Sequence, residues 1–419
     1  MSKADNIAKT FKETKQRRQS QDVVVYELKI INNKLSKTLK EKLNRLFLEA
    51  KWFYNYILSK NDVFNFDSKI KQVQCKTTNG FEDRELKTIG SQIKQEILKR
   101  IQNSIKSLSS KKKKGNKVGK LKFKSEFLSI PLKQFNTTYK IKGNKILIQG
   151  IGKIKVKGIN QISKIKEKDF ANANLIKRNN DIYLKITCFK EKTILTKTNN
   201  AIGIDFGIKD SMVFSNGIKI DTKIPLSRQV LKEHKKFSKK IKNSKNHNKQ
   251  LNKLKKSYEK ITNKRKDTKN KIISYLKNNY DIISVQNENI KGWHSGLFGK
   301  QIQQSTIGGI IEGIKKLPHT TIVDRYYPST QECPNCLTRV KQDLSKRIYK
   351  CKCGYVEDRD IHSARNILFE GLQIVPTVRR DLIPIWNKKP VEIESTKQMY
   401  DYFKTFCLNS IYESGSPML

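Results

Sequence analysis

Two cysteine pairs constrain this chain more than anything else in it. Cys333-Pro-Asn-Cys336 is followed, after 14 residues, by Cys351-Lys-Cys353-Gly354. Two short knuckles that each offer a pair of thiolates form a four-cysteine zinc ribbon, because soft sulfur ligands and tetrahedral closure suit Zn²⁺. Four thiolates leave no open position, so the role read from them is structural, with one Zn²⁺ per chain. The second pair is C-x-C, tighter than the usual C-x-x-C. Four of the seven cysteines fall within 21 residues. An odd total with such clustering reads as metal binding in a reducing compartment, not as a disulfide framework. Cys75, Cys188 and Cys407 read as small core residues.

Charge bounds the partner. The 419 residues carry 88 Lys+Arg against 38 Asp+Glu, a formal net charge of +50. A small-metabolite enzyme has no use for such a field, whereas a polyanion neutralises it. Basic residues occur throughout the chain, so nucleic acid is the expected partner and a membrane is not. No apolar run approaches the ~18 residues of a membrane span, and the polar, basic N-terminus lacks the hydrophobic region of a secretory signal. With 36% hydrophobic and 9% aromatic residues, the chain can still build cores for two or three domains.

Residues 1–22 read as a basic arm, disordered or helical only when bound. Val23–Ile31 alternates as a strand. From 34 to about 60 the period turns helical, with Leu39, Leu43, Leu46, Phe47, Ala50, Phe53, Tyr54 and Leu58 on one face. Trp52, Phe53, Tyr54 and Tyr56 read as helix core, with base stacking as the functional alternative. A second helix is expected over about 85–108. Residues 110–120 form a Lys/Gly loop, either a solvated linker or a phosphate contact. From 121 to about 192 the pattern is β, a small barrel or sheet, with hairpin turns at Gly143-Asn144 and at 178–181. After a linker at 196–200 come strands at 201–206, 210–215 and 218–221. A Lys-rich helical hairpin follows over 226–279, broken near 246–248. The remaining elements are a strand at 282–286, a helix at about 301–317 and a strand at 319–325. This β-β-β-α-β-α-β order is the pattern of an RNase H-like fold.

Carboxylates stand at three places in that pattern. Asp205 lies in the apolar strand Gly203-Ile204-Asp205-Phe206-Gly207, where it needs a proton, a salt-bridge partner or a metal. Glu288 ends the strand 282–286 and its Gln-Asn-Glu-Asn extension, or simply caps a loop. Asp358 and Asp360 open an amphipathic helix, where acidic residues also serve as N-terminal caps. Taken together, Asp205, Glu288 and Asp360 can converge on two Mg²⁺ ions, hard cations that prefer oxygen ligands.

The Gly203–Gly207 strand, the segment 286–293, the CPNC…CKCG ribbon, DRDIHSARNIL (358–368) and GLFGKQIQQSTIGGII (296–311) together resemble the TnpB family. These are transposon-encoded RNA-guided DNA nucleases related to miniature type V CRISPR effectors. The likeness is specific over about 200–370 and looser over 23–195. It implies a multidomain α+β fold in which an RNase H-like (RuvC) nuclease domain, 196–332 and 355–372, is interrupted by the zinc ribbon at 333–354. It also implies an N-terminal wedge β-barrel, 23–33 and 111–195, carrying an inserted helical recognition lobe at 34–110. Carried over by position, the catalytic, Mg²⁺-binding carboxylates are Asp205, Glu288 and Asp360. The family often has its second Glu two residues earlier, at Gln286 here, and an Asn where this chain has His362. The implied partners are a guide RNA and a double-stranded target DNA cut beside a short flanking motif, with one or two protein chains per guide. The implied location is the bacterial or archaeal cytosol. An unguided nuclease of the same fold and a nuclease-inactive RNA-guided regulator are the rival readings. Residues 373–419 hold six basic and five acidic side chains, too neutral to grip phosphates. They read as a dispensable tail, with docking of 383–386 and 400–406 on the protein as the alternative.

Overall fold

The computed structural model describes residues 3–60, 62–78, 80–179, 181–192, 198, 200–343, 345–374, 393–404 and 411–413. The chain divides into two compact units, Met1–Thr193 and Ile194–Leu419. Among the described residues no helix is long and apolar enough to cross a membrane.

The first unit opens with α1 (Lys3–Gln19) and β1 (Gln21–Ile30). The expected arm is thus a helix, and its last two residues already belong to the strand. α1 contains no Gly or Pro and is built from good helix formers such as Lys, Gln, Arg and Ala. Its end is anchored where Arg17 Nη2 donates to Lys168 O (3.0 Å) and Arg18 lies over the Phe189 ring (4.2 Å). The helical block inserted after β1 is α2 (Lys37–Leu58), β2 (Gln72–Thr77), β3 (Gly80–Glu85) and α3 (Ser91–Lys113). Ser36 caps α2 by accepting from the Leu39 N–H (3.2 Å). Trp52, Phe53 and Tyr54 are buried in the core, so their rings are not free for bases. The second helix begins at Ser91, later than expected, because the β2–β3 hairpin runs to Glu85 and a short connection follows it. α3 then runs on into the loop expected at 110–120, its last turn carrying Lys111, Lys112 and Lys113, where cations favour a helix C-terminus.

β4 (Ser129–Leu132), β5 (Tyr139–Lys142), β6 (Lys145–Ile148), β7 (Gly152–Lys157), β8 (Phe170–Arg178) and β9 (Asp181–Glu191) follow. With β1 they form a seven-stranded sheet in the order β4-β8-β9-β1-β7-β6-β5. β1 thus sits centrally, as expected of a strand separated from its sheet by an insertion. β4 and β5 are the two edges, so the hydrogen-bond ladder stays open: of the two forms the residues allowed it is the sheet, not the closed barrel that the resemblance implies. The turn at Gly143-Asn144 is present, with Gly143 at φ +57°. One hydrophobic core joins sheet and helical block.

The second unit starts with the meander β10 (Ala201–Asp205), β11 (Met212–Phe214) and β12 (Ile218–Ile220). The helices α4 (Arg228–Ser238) and α5 (Lys245–Asn279) come next. The break falls at 239–244, earlier than expected, because Asn243 takes φ +67° and Ser244 caps α5 by accepting from His247 N–H (3.0 Å). β13 (Ile282–Gln286) leads into α6 (Ile290–Ser295), α7 (Gly299–Gln304) and α8 (Ile307–Ile314), then β14 (Thr320–Val323). The single helix expected over 301–317 is therefore split at 305–306. β15 (Ile348–Lys350) and β16 (Val356–Asp358) form a hairpin ahead of α9 (Arg359–Ile374). α10 (Ile393–Lys404) and β17 (Ile411–Glu413) complete the described chain.

The sheet order is β14-β13-β10-β11-β12-β17. β10, β13 and β14 run parallel, while β10, β11, β12 and β17 run antiparallel to their neighbours. α9 packs on β10 and β13 so closely that two positions must lack a side chain. A Cβ on Gly203 would lie 2.1 Å from Ala364 O, and one on Gly371 2.0 Å from Ser284 Oγ. The C-terminal segment is not a detached tail. Met399 and Phe403 of α10 are fully buried in the core of this unit, with Phe403 stacked on Phe214 (5.9 Å) and Tyr402 on Tyr275 (4.8 Å). Docking by part of 400–406 is thus realised; 383–386 lie outside the described residues.

Candidate active site and metal centre

Parallel pairing puts the C-terminal ends of β10 and β13 at the same edge of the sheet. Residues alternate along a strand, so Gly203 and Asp205 share the face that meets α9. The Asp205 carboxylate is favoured by the Phe206 backbone N–H and by the Ser363 hydroxyl beside it on α9, a hydroxyl that donates to Ser329 Oγ (2.9 Å). Burial pushes its carboxyl up to about 8, and the charges of Asp360 and Glu288 add to the push. Among the described residues no cation pairs with Asp205, so the salt-bridge alternative is not realised.

The pairing Ile204↔Val285 makes Gln286, not Glu288, the residue level with Asp205. Gln286 is buried and its amide is committed elsewhere. Nε2 lies within donating distance of three backbone oxygens, Asp324 O (3.1 Å), Arg325 O (3.1 Å) and Tyr327 O (2.8 Å). Oε1 accepts from Ser329 Oγ (3.2 Å). The chain then turns tightly, Glu288 N–H donating to Gln286 O (3.0 Å). Burial raises the Glu288 carboxyl, opposed by Arg325 and Lys315. Both cations are tied to the neighbouring residue. Lys315 Nζ donates to Asn287 Oδ1 (2.8 Å), and Arg325 Nε donates to Asn287 O (3.2 Å).

At the start of α9 the two aspartates divide the work. Asp358 is the cap. Its Oδ1 accepts from the N–H groups of Asp360 (3.0 Å) and Ile361 (3.2 Å), and its Oδ2 accepts from Lys219 Nζ on β12 (2.8 Å). Asp360 is spared that duty and makes only loose ion pairs, to Arg347 (3.6 Å) and Arg359 (3.7 Å). His362 is fully buried, stacked flat on Tyr349 of β15 (3.9 Å, 13°) and paired with Asn366 (3.1 Å). Burial holds its imidazole down to about 4, so it is a neutral packing residue between α9 and the cysteine-bearing segment. Asn366 Nδ2 also donates to Ser329 O (2.7 Å) and Glu332 O (2.8 Å), tying α9 to the start of that segment.

Asp360 and Glu288 are close enough to perturb Asp205, but the three carboxylates are not gathered as tightly as the thiols. Among the described residues the one group with all ligand atoms within 4.8 Å of one another is Cys333, Cys336, Cys351 and Cys353. Cys333–Cys353 and Cys336–Cys351 Sγ pairs stand 3.5 Å apart. A Zn²⁺ with four bonds of about 2.3 Å separates its sulfurs by about 3.8 Å, so the donor set fits. The Thr338 hydroxyl, 3.3 Å from Cys336 Sγ, helps hold that thiol down to about 6, toward the thiolate a metal requires. The tighter C-x-C closes the site with Gly354 at φ +89°. Elsewhere Cys188 is buried and Cys75 half-buried, as expected; Cys407 lies outside the described residues. Lys219, Lys315 and Arg325 are site residues that sequence reasoning missed.

A family model described as "Probable transposase" (OrfB_IS605) matches residues 185–294, and a "Cas12f1-like, TNB domain" model matches 318–367. All the candidate carboxylates and cysteines fall inside these two segments. A Streptomyces pristinaespiralis protein named "Putative RNA-guided DNA endonuclease" is 28% identical over 200 residues, 45% of this chain and 50% of the relative. The chain thus spans about half the length of that curated relative. A chain of a Cas12f1–sgRNA–target DNA complex aligns over 83% of this chain and 99% of its own length at 14% identity. Its TM-score of 0.22 is too low to bear on the fold.

Proposed function

We propose, from its likeness to the two family models and to the Streptomyces relative, that the chain is a TnpB-like, RNA-guided, metal-dependent DNA endonuclease. The observation that carries the reading is Asp205: a desolvated carboxyl at the end of a central strand, pushed up to about 8 in part by Asp360 and Glu288. Mutual repulsion of this kind costs stability unless cations relieve it. The order of β10–β14, a three-stranded meander followed by two parallel strands, is that of an RNase H-like (RuvC) nuclease domain and supports the same reading.

Asp205, Glu288 and Asp360 are the residues that would hold Mg²⁺. Two such ions would supply activation of the attacking water and neutralisation of the leaving 3′-oxygen. Ser363 and the Phe206 N–H orient the Asp205 carboxylate. Asp358, held by Lys219, fixes the helix turn that presents Asp360. Lys315 and Arg325 place positive charge beside Glu288, where a scissile phosphate has to enter. The four cysteines would hold one structural Zn²⁺, linked to α9 by the Tyr349–His362 stack.

The charge of +50 suits a large nucleic-acid surface made of a guide RNA and a target duplex, with sequence choice left to base pairing and a short flanking motif. Sequencing the RNA that co-purifies, and reconstituting Mg²⁺-dependent cleavage of a matching duplex with it, tests the proposal. Asp205→Ala, Glu288→Ala and Asp360→Ala should each abolish cutting while guide binding survives, because affinity rests on phosphate contacts. An absence of defined RNA would favour an unguided nuclease; normal cutting by Glu288→Ala would overturn the site.

A further inference from the structure

The first unit holds a cavity of about 380 Å³ that the chemistry above does not use. Its lining includes Tyr54, Arg100, Phe123, Lys124, Glu126 and Phe127. Its volume lies in the range of small-ligand sites. The stretch 114–128 has almost no regular structure, yet this wall is fixed in place. Asn55 on α2 clasps the Lys124 peptide with both ends of its amide, Oδ1 accepting from Lys124 N–H (2.9 Å) and Nδ2 donating to Lys124 O (3.0 Å). Lys124 Nζ is thereby set over the rings of Tyr54 (4.0 Å) and Phe127 (4.6 Å).

Three further features point to a ligand. Arg100 donates to neutral oxygens, Ser129 O (3.4 Å) and Asn174 Oδ1. Among the described residues neither Arg100 nor Lys124 has a carboxylate within ion-pair distance. Burial holds both cations below their ordinary range; the more distant Glu96 opposes this at Arg100, and Arg100 adds to it at Lys124. A close pair of partly desolvated cations is a standing invitation to an anion. In the same wall Phe123 is 65% exposed. An aromatic ring left to water beside two cations is the combination that binds a base and its phosphate together. Glu126 has no partner among the described residues. A free carboxylate in a phosphate site is repulsive unless it accepts a hydrogen bond from the ligand, and a ribose 2′-hydroxyl can donate one where deoxyribose cannot.

We propose that this cavity seats one unpaired ribonucleotide, its base stacked on Phe123, its phosphate between Lys124 and Arg100, and its 2′-hydroxyl donating to Glu126. The proposal rests on the reading of the chain as an RNA-binding protein and adds to it a specific single-nucleotide site. The test uses the full chain freed of nucleic acid at high salt. The probes are 5-bromouridine-substituted oligoribouridylate of about ten nucleotides, a length in the range of single-strand sites, and its deoxy counterpart. Binding is measured by filter retention and position by ultraviolet crosslinking with peptide mapping. The expected crosslink lies within 121–129, favours the ribo probe, and falls about tenfold on Phe123→Ala, the scale of one lost base stack. Phe123 is exposed, so this variant should keep its fold. Glu126→Ala should bring the ribo and deoxy yields together. RNA retention with crosslinks only elsewhere, or a pattern unchanged by Phe123→Ala, would overturn the site. Equal ribo and deoxy yields in the unaltered protein would overturn the ribose assignment. No retention of either probe would instead refute the RNA-binding reading itself, and the site with it.

Discussion

Replacing Gln286 by glutamate asks where the second carboxylate of the site belongs, because that is the position at which the TnpB family often has one. In this chain the Gln286 amide faces three backbone carbonyl oxygens at 2.8–3.1 Å and is only 6% exposed. A carboxylate there has nothing to donate. Left ionised, it would confront the oxygens of Asp324, Arg325 and Tyr327, at a cost of about 1–3 kcal/mol for each unsatisfied buried group. Protonation is the escape, and costs about 1.4 kcal/mol per pH unit above the ordinary glutamate pKa of ~4.3, or about 3.7 kcal/mol at pH 7. A neutral acid restores one donated bond where the amide shares two hydrogens, adding about 1 kcal/mol. The cheaper route therefore costs about 4–5 kcal/mol at pH 7 and about 2 kcal/mol at pH 5. The sign is fixed by linkage. The introduced carboxyl has a folded pKa above its unfolded one, so the protonation part of the penalty is absent below about pH 4, where only the lost hydrogen bond of about 1 kcal/mol remains, and it grows as pH rises. For a unit of this size each kcal/mol is about 2–4 °C in Tm, so Gln286→Glu should melt roughly 10 °C or more below the unaltered protein at pH 7. The deficit should shrink by about half at pH 5. A Tm within a degree or two at pH 8, or a pH-independent deficit, would refute the clasp. Restored cutting by Gln286→Glu in a Glu288→Ala background would move the ligand to position 286.

Asp205→Asn should abolish cutting yet stabilise the Mg²⁺-free protein by on the order of 2–4 kcal/mol at pH 7. The Asp205 carboxyl is pushed up to about 8, so its penalty is missing below about pH 4 and grows toward pH 8. Unfolding curves at pH 5 and 8 check this, and equal stability of the two proteins at pH 8 would refute it. Cys351→Ser should reduce zinc from one per chain to none by elemental analysis, because metal binding supplies the folding free energy of such a site. Full zinc content in that variant would count against the four-thiolate assignment. Phe403→Ala should cost about 3–5 kcal/mol, the range for a buried Phe, and truncation after Ile374 should cost more. A loss below about 1 kcal/mol by denaturant unfolding would show that α10 does not hold the place it occupies beside Phe214 and Tyr275.

What could be read in the chain depended on contrast with the local background. β13 was legible to the residue because four apolar or small residues, Ile282 to Val285, stand between Asp281 and the polar Gln286. Asp205 and Glu288 were legible for the same reason, since acidic residues are scarce here (38 of 419) and stand at the ends of apolar runs. Lys219, Lys315 and Arg325 were not, although each touches the site, because one basic residue among 88 carries no information. The β2–β3 hairpin escaped for a related reason. Along its two strands only Val73 is buried, so one face has almost nothing to bury and period-two alternation has no apolar signal to show.

The C-terminal segment illustrates how a sound inference can lead to the wrong consequence. Its near-neutral charge does set it apart from a chain that carries +49 in its other 372 residues. Neutrality, however, is equally the property of a segment that packs against protein. α10 spends its apolar face on the β10–β12 side of the sheet and on α5: Met399 accepts from Asn216 Nδ2 (3.3 Å) and the Tyr280 hydroxyl (3.4 Å), and Phe403 closes over Phe214. β17 then pairs with β12 and covers what would otherwise be an open edge, a liability in any exposed sheet. Lys219, whose ammonium holds Asp358 and through it the turn carrying Asp360, lies on that same strand and is level with Tyr412. Removing the segment would therefore uncover the strand that steadies the third carboxylate. Cleavage should consequently fall together with stability in truncated protein, whereas a tail of no structural consequence would leave both intact.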